Sequence, residues 1–241
     1  MTKITMRNFI LTALFAALPA VATAQSIDAS VDLWLREVGG GTTFENDLVS
    51  VWSSSGNDGG RRYGVLEFDV SSLAGITLPG LRLDLYGHAN SFSDDTKPVN
   101  QKAFIIDTTG GTPASALTWD SYQAEYDASA TELAGLGRLI LSAPTPTGQF
   151  FGSNATAADL ALVETIANSA NPTLTLVLQM VEDGADYAHS WSDGPDGFSG
   201  SDSRGGDAPD ARLVVVPEPA TWLGGLLLAA AGSCAARRYR S

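Results

Sequence analysis

The chain is poor in the residues that most often carry chemistry. Its single cysteine, Cys234, sits near the C-terminus, so residues 25–216 hold no thiol and no disulfide. That stretch must be stabilised by its own core, for which about 190 residues in one domain are enough. Cys234 reads as a small apolar filler, with lipidation as the alternative. His88 and His189 are the only histidines. A Ser-His-Asp triad would have to use one of them, there is no Gly-x-Ser-x-Gly elbow, and no His-rich metal cluster is present. Basic residues are also scarce, 14 against 27 acidic ones, and five of them (Lys3, Arg7, Arg237, Arg238 and Arg240) lie at the two ends. Between the ends, nine cations against 26 anions leave −17. Nucleic-acid binding needs Lys and Arg to displace counterions, so that class is excluded, and docking on anionic lipid is opposed. The charge suits solubility, cations, or neutral partners such as sugars. No internal repeat is visible.

The two ends have their own pattern. Lys3 and Arg7 precede a short apolar stretch, Phe9 to Leu18, and then the small residues Ala22-Thr23-Ala24. This is the layout of a secretory signal peptide over 1–24, with a helical core and cleavage before Gln25. At the other end Val216-Pro217-Glu218-Pro219 leads into Ala220–Ala236, 17 residues without charge, then Arg237, Arg238 and Arg240. As a helix that run is roughly 26 Å long, marginal for a hydrocarbon core of about 30 Å. The arginines stay on the cytoplasmic side, which places the preceding domain outside. Pro217 and Pro219 lack backbone donors and keep the junction extended, as a protease site requires.

Val216-Pro217-Glu218-Pro219, the transmembrane-like run and the arginine cluster, in that order over 216–241, resemble the PEP-CTERM sorting signal. The resemblance implies an exported protein of a Gram-negative envelope. Its tail would enter the inner membrane transiently, be recognised by an exosortase and be cut near Pro-Glu-Pro. It also implies association with exopolysaccharide and biofilm, at the cell surface or in the extracellular matrix. A permanent single-span anchor is the alternative.

Residues 25–215 read as one β-rich domain. Apolar residues alternate with polar ones at Val31/Leu33/Leu35, Leu66/Phe68/Val70, Leu81/Leu83/Leu85 and Leu174/Leu176/Leu178/Met180. Period two places each set on one face of a half-buried strand. Further strands are expected near 47–53, 101–107, 137–142 and 211–216, separated by clusters such as Gly56-Asn57-Asp58-Gly59-Gly60. One short helix is expected over 156–169, from Leu160, Val163 and Ile166 or Ala167 at helical spacing behind a Thr156–Asp159 capping box. The fold class is therefore all-β: a jelly-roll β-sandwich with one short helix, flanked by an N-terminal signal helix and a C-terminal transmembrane-like helix.

Several blocks of this body resemble the DNRLRE domain, a secreted β-sandwich related to carbohydrate-binding modules. They are Asp32-Leu33-Trp34-Leu35-Arg36-Glu37, the run from Arg61 to Leu73 with its Phe68-Asp69, the Leu81–Tyr86 strand, Leu117-Thr118-Trp119-Asp120, and Ser203-Arg204 followed by Ala208 to Val215. Gly205 stands where the family has a glutamate, and the loop 182–207 is long. The resemblance implies a jelly roll and contact with polysaccharide.

Candidate sites follow from residue chemistry. Asp183, Asp186, Asp193 and Asp196 belong to an Asp/Gly-rich loop able to offer carboxylates and carbonyls to a structural Ca2+, although the spacing is that of neither an EF-hand nor a nonapeptide repeat. A solvated loop is the alternative. Flat rings stack on the C–H faces of sugars, and Trp34, Tyr86, Trp119 and Trp191 are the candidate glycan contacts, against the alternative that they complete core edges. Trp34 and Tyr86 fall on the opposite parity from the apolar residues of their strands. Arg36, Glu37 and Arg62 read as an ion network tying strand ends, or else a ligand clamp. The leading functional expectation is a non-catalytic exported envelope protein. A dedicated carbohydrate-binding module and a glycan-cleaving enzyme are the alternatives.

Overall fold

In the computed structural model, residues 25–37, 43–45, 49–53, 60–87, 97–191 and 210–217 are described, 43–45 as backbone only. The expected signal segment 1–24 and the sorting tail from Glu218 onward, with Arg237, Arg238 and Arg240, lie outside the described residues, as do His88, Asp193 and Asp196. Gln25–Val216 forms one compact unit. Among the described residues no helix is long and apolar enough to cross a membrane.

The unit is predominantly β-sheet. Its strands are β1 Ser26–Asp28, β2 Val31–Arg36, β3 Thr43–Glu45, β4 Val49–Trp52, β5 Arg62–Asp69, β6 Leu81–Tyr86, β7 Val99–Ile106, β8 Thr131–Glu132, β9 Leu139–Leu141, β10 Phe150–Asn154, β11 Thr173–Met180, β12 Ala188–Trp191 and β13 Arg212–Val215. A four-stranded sheet runs β1-β13-β6-β10, and a nine-stranded sheet runs β12-β4-β5-β11-β7-β8, with β2 and β3 attached at β5 and β9 at β7. Neighbours are antiparallel, for example Gly152 opposite Asp84 and Leu176 opposite Leu66.

The apolar alternation read from the sequence builds the space between the sheets. Leu81, Leu83, Leu85, Leu213 and Val215 from the smaller sheet share one buried cluster with Leu66, Phe68, Leu174, Leu176 and Leu178 from the larger. Close approach is needed within the larger sheet: a Cβ on Gly64 would collide with Val49 Cγ1 and sit 3.2 Å from Val51 Cγ2.

Two expectations are corrected. β2 is half-buried as expected, with Leu33 and Leu35 on its buried face, but β5 and β11 are not half-buried strands. Their other face carries Tyr63, Val65 and Val177, which join Leu33 and Leu35 of β2 in a second buried cluster covered by Leu117, Trp119, Tyr122 and Tyr126. The cover includes a second helix, where the sequence pattern predicts only the one over 156–169. This α1, Trp119–Glu125, starts at a capping box in which the Thr118 hydroxyl accepts from Ser121 N–H and Ser121 Oγ accepts from Thr118 N–H. Seven residues make two turns, too few for a helical period to emerge.

The expected helix is α2, Ala157–Ala167, with Val163 and Ala167 buried. Its Asp159 is a structural hub, only 1% exposed. The carboxylate accepts from the backbone N–H groups of Thr156, Ala134, Gly135 and Leu136, at 2.8 to 3.1 Å. Burial alone would raise its pKa; the backbone donors outweigh burial and hold it below the ordinary value.

Candidate functional site

The solvent side of the four-stranded sheet follows from parity. Leu81, Leu83 and Leu85 point into the core, so Arg82, Asp84 and Tyr86 point away from it, joined by Phe150, Gly152 and Arg212 of the neighbouring strands. Asp84 is the centre of this face and is 2% exposed. Arg82 forks onto it, Nη2 donating to Oδ2 at 2.9 Å, and Arg212 Nε lies 3.5 Å from Oδ2. Pairing with Asp84 raises the Arg82 pKa. Two half-buried rings stand beside the charges: Tyr86 and Phe150 meet edge to face at 5.3 Å, and the Arg212 guanidinium lies over Phe150 at 4.0 Å. Gly152 lets Arg82 and Asp84 lie close against its strand, since a Cβ there would sit 2.7 Å from Arg82 Cδ and 3.0 Å from Asp84 Oδ1. The arrangement offers apolar ring surface, fixed donors and a bare strand floor side by side, which is what a sugar ring with its C–H faces and hydroxyls can use.

A second cluster occupies the end of the larger sheet. Arg62 is paired across the strands with Arg36 on β2 and with Trp52 on β4. Its guanidinium lies 3.4 Å from the centroid of Trp52 and 4.5 Å from that of Trp34. Burial first, and Arg36 second, push its pKa down to about 10. The ion network expected of Arg36, Glu37 and Arg62 is therefore arranged differently. Glu37 pairs with Arg61, Nη2 donating to Oε1 at 2.8 Å and the Arg61 backbone N–H to Oε2 at 2.9 Å. That hydrogen bonding lowers the Glu37 pKa and raises that of Arg61.

The other candidates are dispersed. Trp191, at 0% exposed, is a core residue: its indole N–H donates to Gln101 Oε1 at 2.8 Å, and its ring packs on Phe151 and His189. A ring sealed between two sheets is no platform for a sugar, because it cannot be reached. Trp119 is likewise buried, packed on Tyr63 with ring centroids 4.7 Å apart and the planes tilted by 42°. Trp34 and Tyr86 are half-buried and lie on different sheets, so the four rings do not form one site. In the acidic loop, Asp183 accepts from Ala185 N–H and from the Tyr187 hydroxyl. Asp186 pairs with Lys97 at 2.7 Å. Among the described residues no three Asp, Glu, His or Cys side chains gather as a metal site. Phe150, Gly152 and Arg212 were not singled out in the sequence. Asp84, a strand residue on the parity opposite to the apolar set, is buried beneath its arginines. Only the register of β10 and β13 against β6 brings these residues together.

Comparison with protein-family models finds no match, and no curated protein matches the chain.

Proposed function

We propose that the protein is a non-catalytic, exported envelope protein whose body is a jelly-roll β-sandwich that contacts extracellular polysaccharide, delivered by a signal peptide over 1–24 and sorted by an exosortase acting on the tail from 216. The observation that carries the polysaccharide half is the outer face of the four-stranded sheet, with Tyr86 and Phe150 beside the Arg82–Asp84–Arg212 group and the bare Gly152. The sorting half rests on the sequence of the tail. The body's last strand ends at Val215, and Val216 N–H still bonds to Gly80 C=O at 2.9 Å, so the first proline of the motif follows directly on a residue bonded to the body.

Two measurements test this reading. Intact-mass spectrometry of protein recovered from cells is expected to show a new N-terminus at Gln25 and a C-terminus near 217–219. Full-length chain with Met1 and Ser241, or unchanged fractionation after deletion of 217–241, defeats the sorting half. Affinity electrophoresis in gels containing exopolysaccharide is expected to retard the protein, and Tyr86→Ala to reduce the retardation. Equal mobility with and without polysaccharide defeats the binding half.

A further inference from the structure

We infer that the Trp34–Arg62–Trp52 stack is a binding site for an oxyanion group, carboxylate or sulfate, borne by the polysaccharide; for that source the inference rests on the proposed function above. The site is at the end of β2, β4 and β5, whereas the sugar-facing surface argued above belongs to the other sheet.

The argument begins with unsatisfied donors. Trp52 is 8% exposed, and its indole Nε1 is buried with no acceptor among the described residues. Arg62 Nε is buried in the same condition. Two such donors in one stack are an unusual cost, since buried N–H groups are almost always paired. A missing acceptor is the common remedy.

Charge points the same way. Among the described residues Arg61, Arg82, Arg138 and Arg212 each reach a carboxylate. Arg62 does not, in a body where 26 acids surround nine bases. The charged group that acts on it is a cation, Arg36, directly across the strands. The indoles cover the faces of the guanidinium and hold it flat. Stacking on rings leaves the in-plane N–H groups as the functional edge, and that fork matches the two oxygens of a carboxylate or sulfate. Stacking alone would brace the strand ends, but it neither uses these donors nor neutralises the charge.

The test uses the protein recovered from cells, with polygalacturonate, its fully methyl-esterified form, free galacturonate and inorganic sulfate as probes. Calorimetry is expected to show polygalacturonate bound at least tenfold more tightly than the neutral ester, against the repulsion of a −17 body. Arg62→Gln is expected to abolish that preference. Arg62→Lys keeps the charge without the fork and is expected to lose most of it. In the wild type, the Arg62 Nε–Hε resonance is expected to move on addition of galacturonate or sulfate, a readout that needs no variant to fold. Equal affinity for the two polymers with a stationary Nε–Hε resonance overturns the inference and leaves the polysaccharide reading standing. A moving resonance with neither polymer bound supports the oxyanion site while defeating the polysaccharide reading. Wild-type preference retained in both folded variants also overturns the inference.

Discussion

The two sheets are built from the same alternation and end up with different surroundings. In the nine-stranded sheet, β5 and β11 are buried on both faces, one against the smaller sheet and one beneath α1 and its neighbours. In the four-stranded sheet, β6 is apolar on one face only, and its other face carries Arg82, Asp84 and Tyr86. The difference lies in the alternate positions. Tyr63, Val65 and Val177 can be covered by a helix; arginine and aspartate cannot without a partner for every charge. The smaller sheet thus keeps an open outer face along β6, whereas β5 and β11 of the larger sheet are covered on both sides and its exposed polar groups are at the strand ends around Arg62.

This contrast can be broken by substitution. Trp191→Ala, in the shared core, is expected to cost about 3–5 kcal/mol in chemical denaturation. Tyr86→Ala, on the open face, is expected to cost about 1 kcal/mol or less while weakening polysaccharide retention. Similar losses from both would mean that the open face is closed. Next in size is Asp159→Asn, which keeps the volume but weakens the acceptor for four backbone N–H groups; about 2–3 kcal/mol is expected from the same measurement. Gly64→Ala follows at about 2 kcal/mol, because the new methyl meets Val49 and Val51 inside the core. Gly152→Ala meets the flexible end of Arg82 and is expected to cost under about 1 kcal/mol in stability, with its main effect on ligand retention.

The smallest effect is in pH. Asp159 and Glu37 both have folded pKa values below their ordinary 3.8 and 4.5. Each therefore contributes stability that is complete above those values and is lost as pH falls through the lower folded ones. Glu67 acts oppositely: burial raises its pKa, so its protonation favours the fold as pH falls. The net expectation is a decline in thermal midpoint below about pH 4, flatter in Asp159→Asn than in the wild type. Equal slopes would show that Asp159 is not the acid-sensitive contact.

Much of the framework was legible in the sequence. The alternation over Leu81–Leu85 and Leu174–Met180 marks β6 and β11, and the Thr156–Asp159 box marks the start of α2, because these signals are local. β10 and β12 were not legible. Phe150-Phe151-Gly152-Ser153-Asn154 and Ala188-His189-Ser190-Trp191 have no apolar period; they become strands by pairing with β6 and β4. The candidate site was legible in fragments. Tyr86 was visible as a ring of the wrong parity for the core, but Phe150 and Arg212 are 64 and 126 positions away from it.

The sequence by itself determined composition, charge, the marked ends and the apolar faces, since each depends on neighbours a few residues apart. Tertiary structure alone decided that Trp191 is sealed in the core while Tyr86 stays half-open, and that Arg61 finds Glu37 while Arg62 lies between two indoles. Those outcomes depend on cross-strand register and on which face receives a cover, and both are settled by contacts between segments distant in the chain.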